Sequence, residues 1–301
     1  MNKHSSIRSS GSLLERASEK FDFAKALREA ETEYPAEAPA QHAPANDVAT
    51  VPIRPQIGGE TVAIDRVALA EGGFALPDQR PGALAEEFRI VKRQLLLRAA
   101  GEGGVTIENG RMILVCSAKP DEGKTFCSVN LALSMARETD LDVVLADGDL
   151  NNPQIAALMG VGDGPGLMDA VEDPTVDIES CLVHTDIPNL SLLRPGKRTD
   201  DATELLAAPR SADVFRKLLA KSPTRVAIFD SPPALSASPA SVLAMHAGQT
   251  VMVVKADTTT EEELREGLGL LSGCDHIQLL LNNATFTPNG KRFSSYYGYG
   301  E

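Results

Sequence analysis

Positive charge is scarce in this sequence. Lys and Arg number 29 against 42 Asp and Glu, for a formal net charge of −13. A nucleic-acid surface needs clustered Lys and Arg, so no nucleic-acid partner is expected; acidity alone names no other. Long apolar runs are also missing, and none approaches the roughly 18 residues that cross a bilayer. The opening residues, Met1-Asn2-Lys3-His4-Ser5-Ser6, carry no apolar signal-peptide core, so export is not expected. Cysteine is sparse: Cys116, Cys127, Cys181 and Cys274 stand apart, without C-x-x-C spacing. That pattern fits reduced thiols in a cytosol and argues against a zinc site. The 301 residues, 43% of them hydrophobic, are enough for one large domain or two small ones.

Turning to what is there, Leu13, Leu14, Ala17, Phe21, Ala24 and Leu27 recur at helical spacing and predict an amphipathic helix within residues 1–34. Prolines 35, 39, 44, 52 and 55 then fall among Ala, Glu and Gln. Such a stretch buries too little apolar area to offset its ordering cost, so 35–60 reads as a flexible linker. A folded domain is expected over 61–290, including a helix over 81–100. On that helix Glu86, Arg89, Lys92 and Arg93 fall on one side, either a solvated face or a contact with another subunit. Beyond it, apolar strand candidates alternate with helices. The strands are 112–116, 143–146, 190–193, 226–229, 250–254 and 277–281; the helices are 125–137, 211–221, 239–246 and 261–271. The alternation predicts an α/β fold: a three-layer α/β/α arrangement around a mostly parallel sheet. No internal repeat is present.

The stretch Ala118-Lys119-Pro120-Asp121-Glu122-Gly123-Lys124-Thr125 lies between a predicted strand and a predicted helix. Strand, Gly-Lys-Thr, helix is the order that holds a nucleoside triphosphate, because backbone N–H groups and the helix N-terminus face its phosphates. Lys124 then reaches the outer phosphates and Thr125 ligates Mg²⁺. Alanine replaces the motif's first glycine at 118. Two further apolar runs end in carboxylates: Asp147-Gly148-Asp149, and Asp230-Ser231-Pro232-Pro233. One aspartate after a strand is commonly a turn or cap residue; three beside Gly-Lys-Thr point to nucleotide and Mg²⁺ roles.

Three of the chain's four tyrosines, Tyr296, Tyr297 and Tyr299, fall in its last six residues. Glycines and serines in 291–301 predict a mobile tail, either a packed or dangling aromatic segment or a set of phosphate acceptors. A neighbouring aspartate could take the proton of an acceptor hydroxyl.

Together these motifs resemble the bacterial tyrosine kinases, the P-loop autokinases of capsule and exopolysaccharide systems. Walker A corresponds to Ala118–Thr125, D-x-D to Asp147 and Asp149, and Walker B to the run ending at Asp230. The subunit-contact helix corresponds to Glu86, Arg89 and Lys92, and the tyrosine cluster to Tyr296, Tyr297 and Tyr299. The stretches Ser12–Ala17 and Glu87-Phe88-Arg89 resemble the branch found with exosortase (PEP-CTERM) exopolysaccharide loci. Asp121, Asn151 and Lys92 depart from the family's usual glycine, arginine and arginine.

The resemblance implies an ATP- and Mg²⁺-dependent tyrosine autokinase acting on its own tail, between subunits of a homo-oligomer. It implies nucleotide contacts from Ala118, Lys119, Asp121, Glu122, Gly123, Lys124, Thr125 and Phe126, and from Asn282 at the adenine. Lys124, Asp147 and Asp149 are the implied catalytic residues, with Asp147 orienting the tyrosine. Thr125 is the direct metal ligand, and Asp149 and Asp230 act through water. Lys119 matches a second lysine of the related partitioning ATPases. The implied partners are a membrane chain-length determinant (a polysaccharide co-polymerase) as activator, and a tyrosine phosphatase. The implied location is cytoplasmic, peripheral to the inner membrane through that partner. Two other readings share the loop: a partitioning-type ATPase switch with water as acceptor, and a non-catalytic nucleotide-binding regulator of polysaccharide export.

Overall fold

The computed structural model describes residues 61–101 and 106–284. The expected N-terminal helix, the 35–60 linker and the tyrosines of 291–301 lie outside the described residues.

Eight strands form one sheet. They are β1 (Thr61–Val62), β2 (Met112–Ser117), β3 (Asp142–Asp147), β4 (Leu182–Thr185), β5 (Leu190–Leu193), β6 (Arg225–Asp230), β7 (Gln249–Lys255) and β8 (Ile277–Asn282). Their spatial order is β1-β4-β5-β3-β6-β2-β7-β8. Every neighbouring pair is parallel except β4 with β5. The sheet is therefore mostly parallel, with β1 and β4 running against the other six. β1 and β4 were not expected from the sequence, since each is short, β1 has no buried residue and only half of β4 is buried.

The helices are α1 (Arg66–Glu71), α2 (Ala83–Ala99), α3 (Lys124–Ala136), α4 (Ile155–Leu158), α5 (Leu167–Glu172), α6 (Ala202–Ala207), α7 (Pro209–Ala220), α8 (Pro239–Ala244) and α9 (Glu261–Leu270). Alternate strand residues feed two cores. Ile113, Val115, Val143, Leu145, Val226 and Ile228 pack with α2 and α3. Met112, Leu114, Val144, Ala146, Ala227 and Phe229 pack with α5, α7 and α8. The two-residue period of a strand splits its apolar residues this way, and burial on both faces is why these strands read as unbroken apolar runs.

α2 seats Phe88, Lys92 and Leu95 against the body of the protein. Phe88 meets Phe126 edge-on at 6.5 Å, and Phe74 meets the same ring at 5.1 Å. Lys92 departs from the charged face expected of it. The residue is 5% exposed, and its Nζ donates to the Ser134 carbonyl at 3.3 Å and pairs with Glu138. The lysine stem follows the apolar row, so the amine is spent inside the chain. Glu86 and Arg89 pair with each other at 3.2 Å nearer the surface.

At the starts of the central strands, Arg225 is buried between two carboxylates. Its Nε is 2.9 Å from Asp142 Oδ2, and its Nη1 pairs with Glu179. This network fixes the sheet end opposite the site.

Candidate nucleotide site

In an open parallel sheet, ligands gather beyond the carboxyl ends of the strands. β3, β6 and β2 are neighbours, so the residues ending them meet there. Asp147 and Asp230 are register partners across β3 and β6. Between the two aspartates of D-x-D, Gly148 is needed for space: its N–H donates to the Asp230 carbonyl at 2.7 Å, and a Cβ would stand 2.7 Å from that oxygen.

The loop from β2 into α3 has two left-handed residues, Asp121 at φ 62° and Gly123 at φ 91°. Aspartate is among the few residues that tolerate this region, which accounts for Asp121 where the family motif has glycine. Its side chain is exposed, turned away from the buried part of the loop. Ala118 is fully buried, and a methyl added to Gly267 of α9 would lie 3.5 Å from its Cβ. The alanine methyl thus points into the core against a residue that has no side chain.

Lys124 and Thr125 open α3. Lys124 Nζ lies 3.5 Å from Asp149 Oδ2. Thr125 Oγ1 donates to Asp230 Oδ2 at 2.6 Å, and Ser128 Oγ donates to Asp230 Oδ1 at 3.0 Å. Burial pushes the Asp230 carboxyl up to about 6, against the pull of the Thr125 hydroxyl. Asp147 is pushed up to about 7, again by burial, although its Oδ2 accepts the Gln154 and Ile155 amides at 2.9 Å each. Its Oδ1 is buried with no hydrogen-bond partner among the described residues. Asp149 Oδ1 accepts the Asn152 amide at 3.2 Å. Leu150 and Asn151, which follow it, line a cleft of about 550 Å³ with Met168, Arg198 and Thr199.

This donor set fits a metal–phosphate ligand of one kind. No three acidic, histidine or cysteine side chains among the described residues gather as ligands of a single metal. One hydroxyl ligand with carboxylates set further back suits Mg²⁺, which keeps several of its waters. Cys116 and Cys127 flank the loop, but burial pushes their thiols up to about 11 and about 12, so both are small core residues.

Similarity to known proteins follows the same geometry. No protein-family model matches the chain. It is 26% identical over 227 residues to the putative tyrosine-protein kinase CapB of Staphylococcus aureus, which covers 74% of this chain and 93% of CapB. It is 29% identical over 192 residues to the tyrosine-protein kinase Wzc of Salmonella typhimurium, covering 62% of this chain but only 26% of Wzc. The VpsO kinase domain matches at TM-score 0.54 and 26% identity, over 66% of this chain and 96% of that one.

The chain is a relative of the bacterial tyrosine-protein kinases. The kinase domain of Escherichia coli tyrosine kinase ETK shares its fold at TM-score 0.59 and 21% identity, over 77% of this chain and 97% of ETK's. The fold of this kinase relative is P-loop NTPase-like, and that fold implies nucleotide binding.

Not all the residues expected at the nucleotide turn their side chains to it. The Glu122 carboxylate is 1% exposed and points inward, where Oε2 accepts the Lys119 amide at 2.8 Å and Oε1 accepts the Thr259 hydroxyl. Phe126 packs among phenylalanines. Lys119 Nζ reaches Glu263 Oε1 at 2.7 Å. Asn282 lies over the loop, with Nδ2 2.9 Å from the Glu122 carbonyl. A Cβ on Gly123 would collide with that amide, so Gly123 is required for space as well as for its φ. Ser128, the second hydroxyl on Asp230, was missed from the sequence. It lies one helical turn after Lys124, and the (i, i+4) spacing was the available signal.

Proposed function

We propose that this protein is an ATP- and Mg²⁺-dependent protein-tyrosine kinase whose acceptors include its own Tyr296, Tyr297 and Tyr299. One observation carries the reading: Lys124, Thr125, Asp147, Asp149 and Asp230 all meet at the carboxyl ends of three adjacent strands. ATP with Mg²⁺ supplies the transferable phosphoryl group and neutralises charge as it is transferred. Lys124, now paired with Asp149, binds the outer phosphates. Thr125 would be the protein's direct ligand to Mg²⁺, and Asp149 and Asp230 would act on it through water. Asp147 orients the tyrosine hydroxyl and takes its proton at Oδ1, while the two amides on Oδ2 fix the carboxylate. The cleft beside Leu150 and Asn151 gives an acceptor segment room next to Asp149.

The similarity to capsule and exopolysaccharide kinases supports a role in regulating polysaccharide synthesis or export. On this reading the protein self-associates through the Glu86 and Arg89 side of α2. A membrane co-polymerase activates it at the inner-membrane surface, a tyrosine phosphatase resets it, and the exosortase-associated branch is its place in the family.

The test is incubation of purified full-length protein with ATP and Mg²⁺, followed by mass analysis of the peptide covering 285–301. Phosphate on Tyr296, Tyr297 or Tyr299, lost in Lys124→Ala, is the expected result. No tyrosine phosphate, even with the cytoplasmic segment of the co-polymerase added, would overturn the reading.

A further inference from the structure

The phosphate loop is tied down from outside by a set of side chains that none of its motifs contains. Lys255, at the end of β7, donates from Nζ to the Asp121 carbonyl at 3.2 Å. Asn282, at the end of β8, donates to the Glu122 carbonyl at 2.9 Å. Between them, Thr259 works as a relay: its Oγ1 accepts the Lys255 N–H at 2.9 Å and donates to the buried Glu122 carboxylate. The other oxygen of that carboxylate holds the Lys119 N–H. The Lys119 ammonium in turn pairs with Glu263, whose second oxygen accepts the Thr260 N–H at 2.9 Å in the cap of α9.

A trans peptide is planar, so its C=O and N–H point in opposite directions. The carbonyl of Asp121 shares a peptide plane with the N–H of Glu122, and the carbonyl of Glu122 shares one with the N–H of Gly123. Drawing the Asp121 carbonyl out to Lys255 turns the Glu122 N–H the opposite way. Drawing the Glu122 carbonyl to Asn282 does the same for the Gly123 N–H. Left-handed residues at 121 and 123 are what let successive N–H groups converge into an anion-binding nest.

We infer that Lys255 and the Glu122–Thr259 pair are positioning residues: they hold the loop peptides so that the Glu122 and Gly123 N–H groups face bound phosphate. The β7–α9 junction thereby sets polyphosphate affinity without touching the nucleotide. This inference rests on the nucleotide-binding part of the proposed function and not on which acceptor receives the phosphate.

The experiment is equilibrium binding of ATP and ADP to the full-length protein, compared for wild type, Lys255→Met, Thr259→Val and Thr259→Ser, with kinetics of tail labelling measured in parallel. Each lost tether removes roughly one hydrogen bond's worth of loop order, so Kd for ATP and ADP is expected to rise roughly five- to tenfold in Lys255→Met and Thr259→Val. Thr259→Ser, which keeps the hydroxyl, should restore wild-type affinity. Labelling should show the loss in KM for ATP, with kcat nearly unchanged. ATP affinity within twofold of wild type in both Lys255→Met and Thr259→Val would overturn the inference while leaving the kinase reading intact. An affinity loss that Thr259→Ser shares equally would also overturn the Thr259 relay. If Thr259→Val does not fold, Lys255→Met decides alone, since that side chain is only partly buried. Failure of the wild type to bind ATP would instead overturn the nucleotide reading itself.

Discussion

The carbonyl oxygen of Asp230 sits against the backbone of Gly148, accepting its N–H at 2.7 Å and leaving no room for a Cβ. The carboxylate residue ending β6 and the D-x-D turn are therefore joined through their backbones. Gly148→Ala must push β3 and β6 apart where they carry Asp147 and Asp230. The expected cost is about 1–3 kcal/mol of stability, together with a large loss of labelling even where the variant is fully folded. Urea unfolding beside the tail-labelling assay checks both.

Asp147 should lower the stability of the protein when nucleotide and divalent cation are absent. Its carboxyl is raised in the folded state to about 7 from 3.8. A group raised in this way favours folding fully at low pH, and its contribution is lost as pH rises through the folded value. Wild-type protein in chelator should thus lose thermal stability between about pH 4 and pH 7, and Asp147→Asn should lose much less. Equal pH profiles for the two proteins would contradict this. Asp147→Asn should nevertheless label poorly at every pH.

Arg225 holds two carboxylates at the sheet end far from the site. Arg225→Met strands Asp142 and Glu179 partly buried without their cation, and removing one partner of a buried ion pair costs about 3–5 kcal/mol. ATP affinity measured well below the melting temperature should stay near wild type, since no loop residue touches this network.

Lys92 and Arg89 should separate under substitution. Lys92 is turned into the α2–α3 contact and its partner Glu138 is about half exposed, so Lys92→Met strands no buried charge, should leave self-association unchanged and should shift stability by no more than about 1 kcal/mol. Arg89 is exposed, and Arg89→Ala should weaken self-association. Sedimentation of both variants across a concentration series distinguishes them.

The central strands were legible because burial on both faces leaves a nearly unbroken apolar run. For that reason Leu190–Leu193 coincides with the strand read from sequence, and the others differ by one residue at one or both ends. The carboxylates that end these strands were legible too. β4 was not, because half of it is only partly buried and its partner is chosen by a neighbouring strand. Lys92 was misread because the type of a charged side chain fixes its chemistry and not its direction: four methylenes let the amine cross an apolar row. Glu122 hid for a related reason, since its partner Thr259 lies 137 residues away and nothing local marks the pairing.

Asn282 is both a clasp on the phosphate loop and the last residue of β8. The chain therefore leaves the sheet at the nucleotide's own doorstep. Tyr296 follows 14 residues later, a tether of at most about 50 Å when fully drawn out. If the proposed acceptors are right, that bound makes the packing of one subunit beside the next decide whether a neighbour's tyrosine or the chain's own reaches the site.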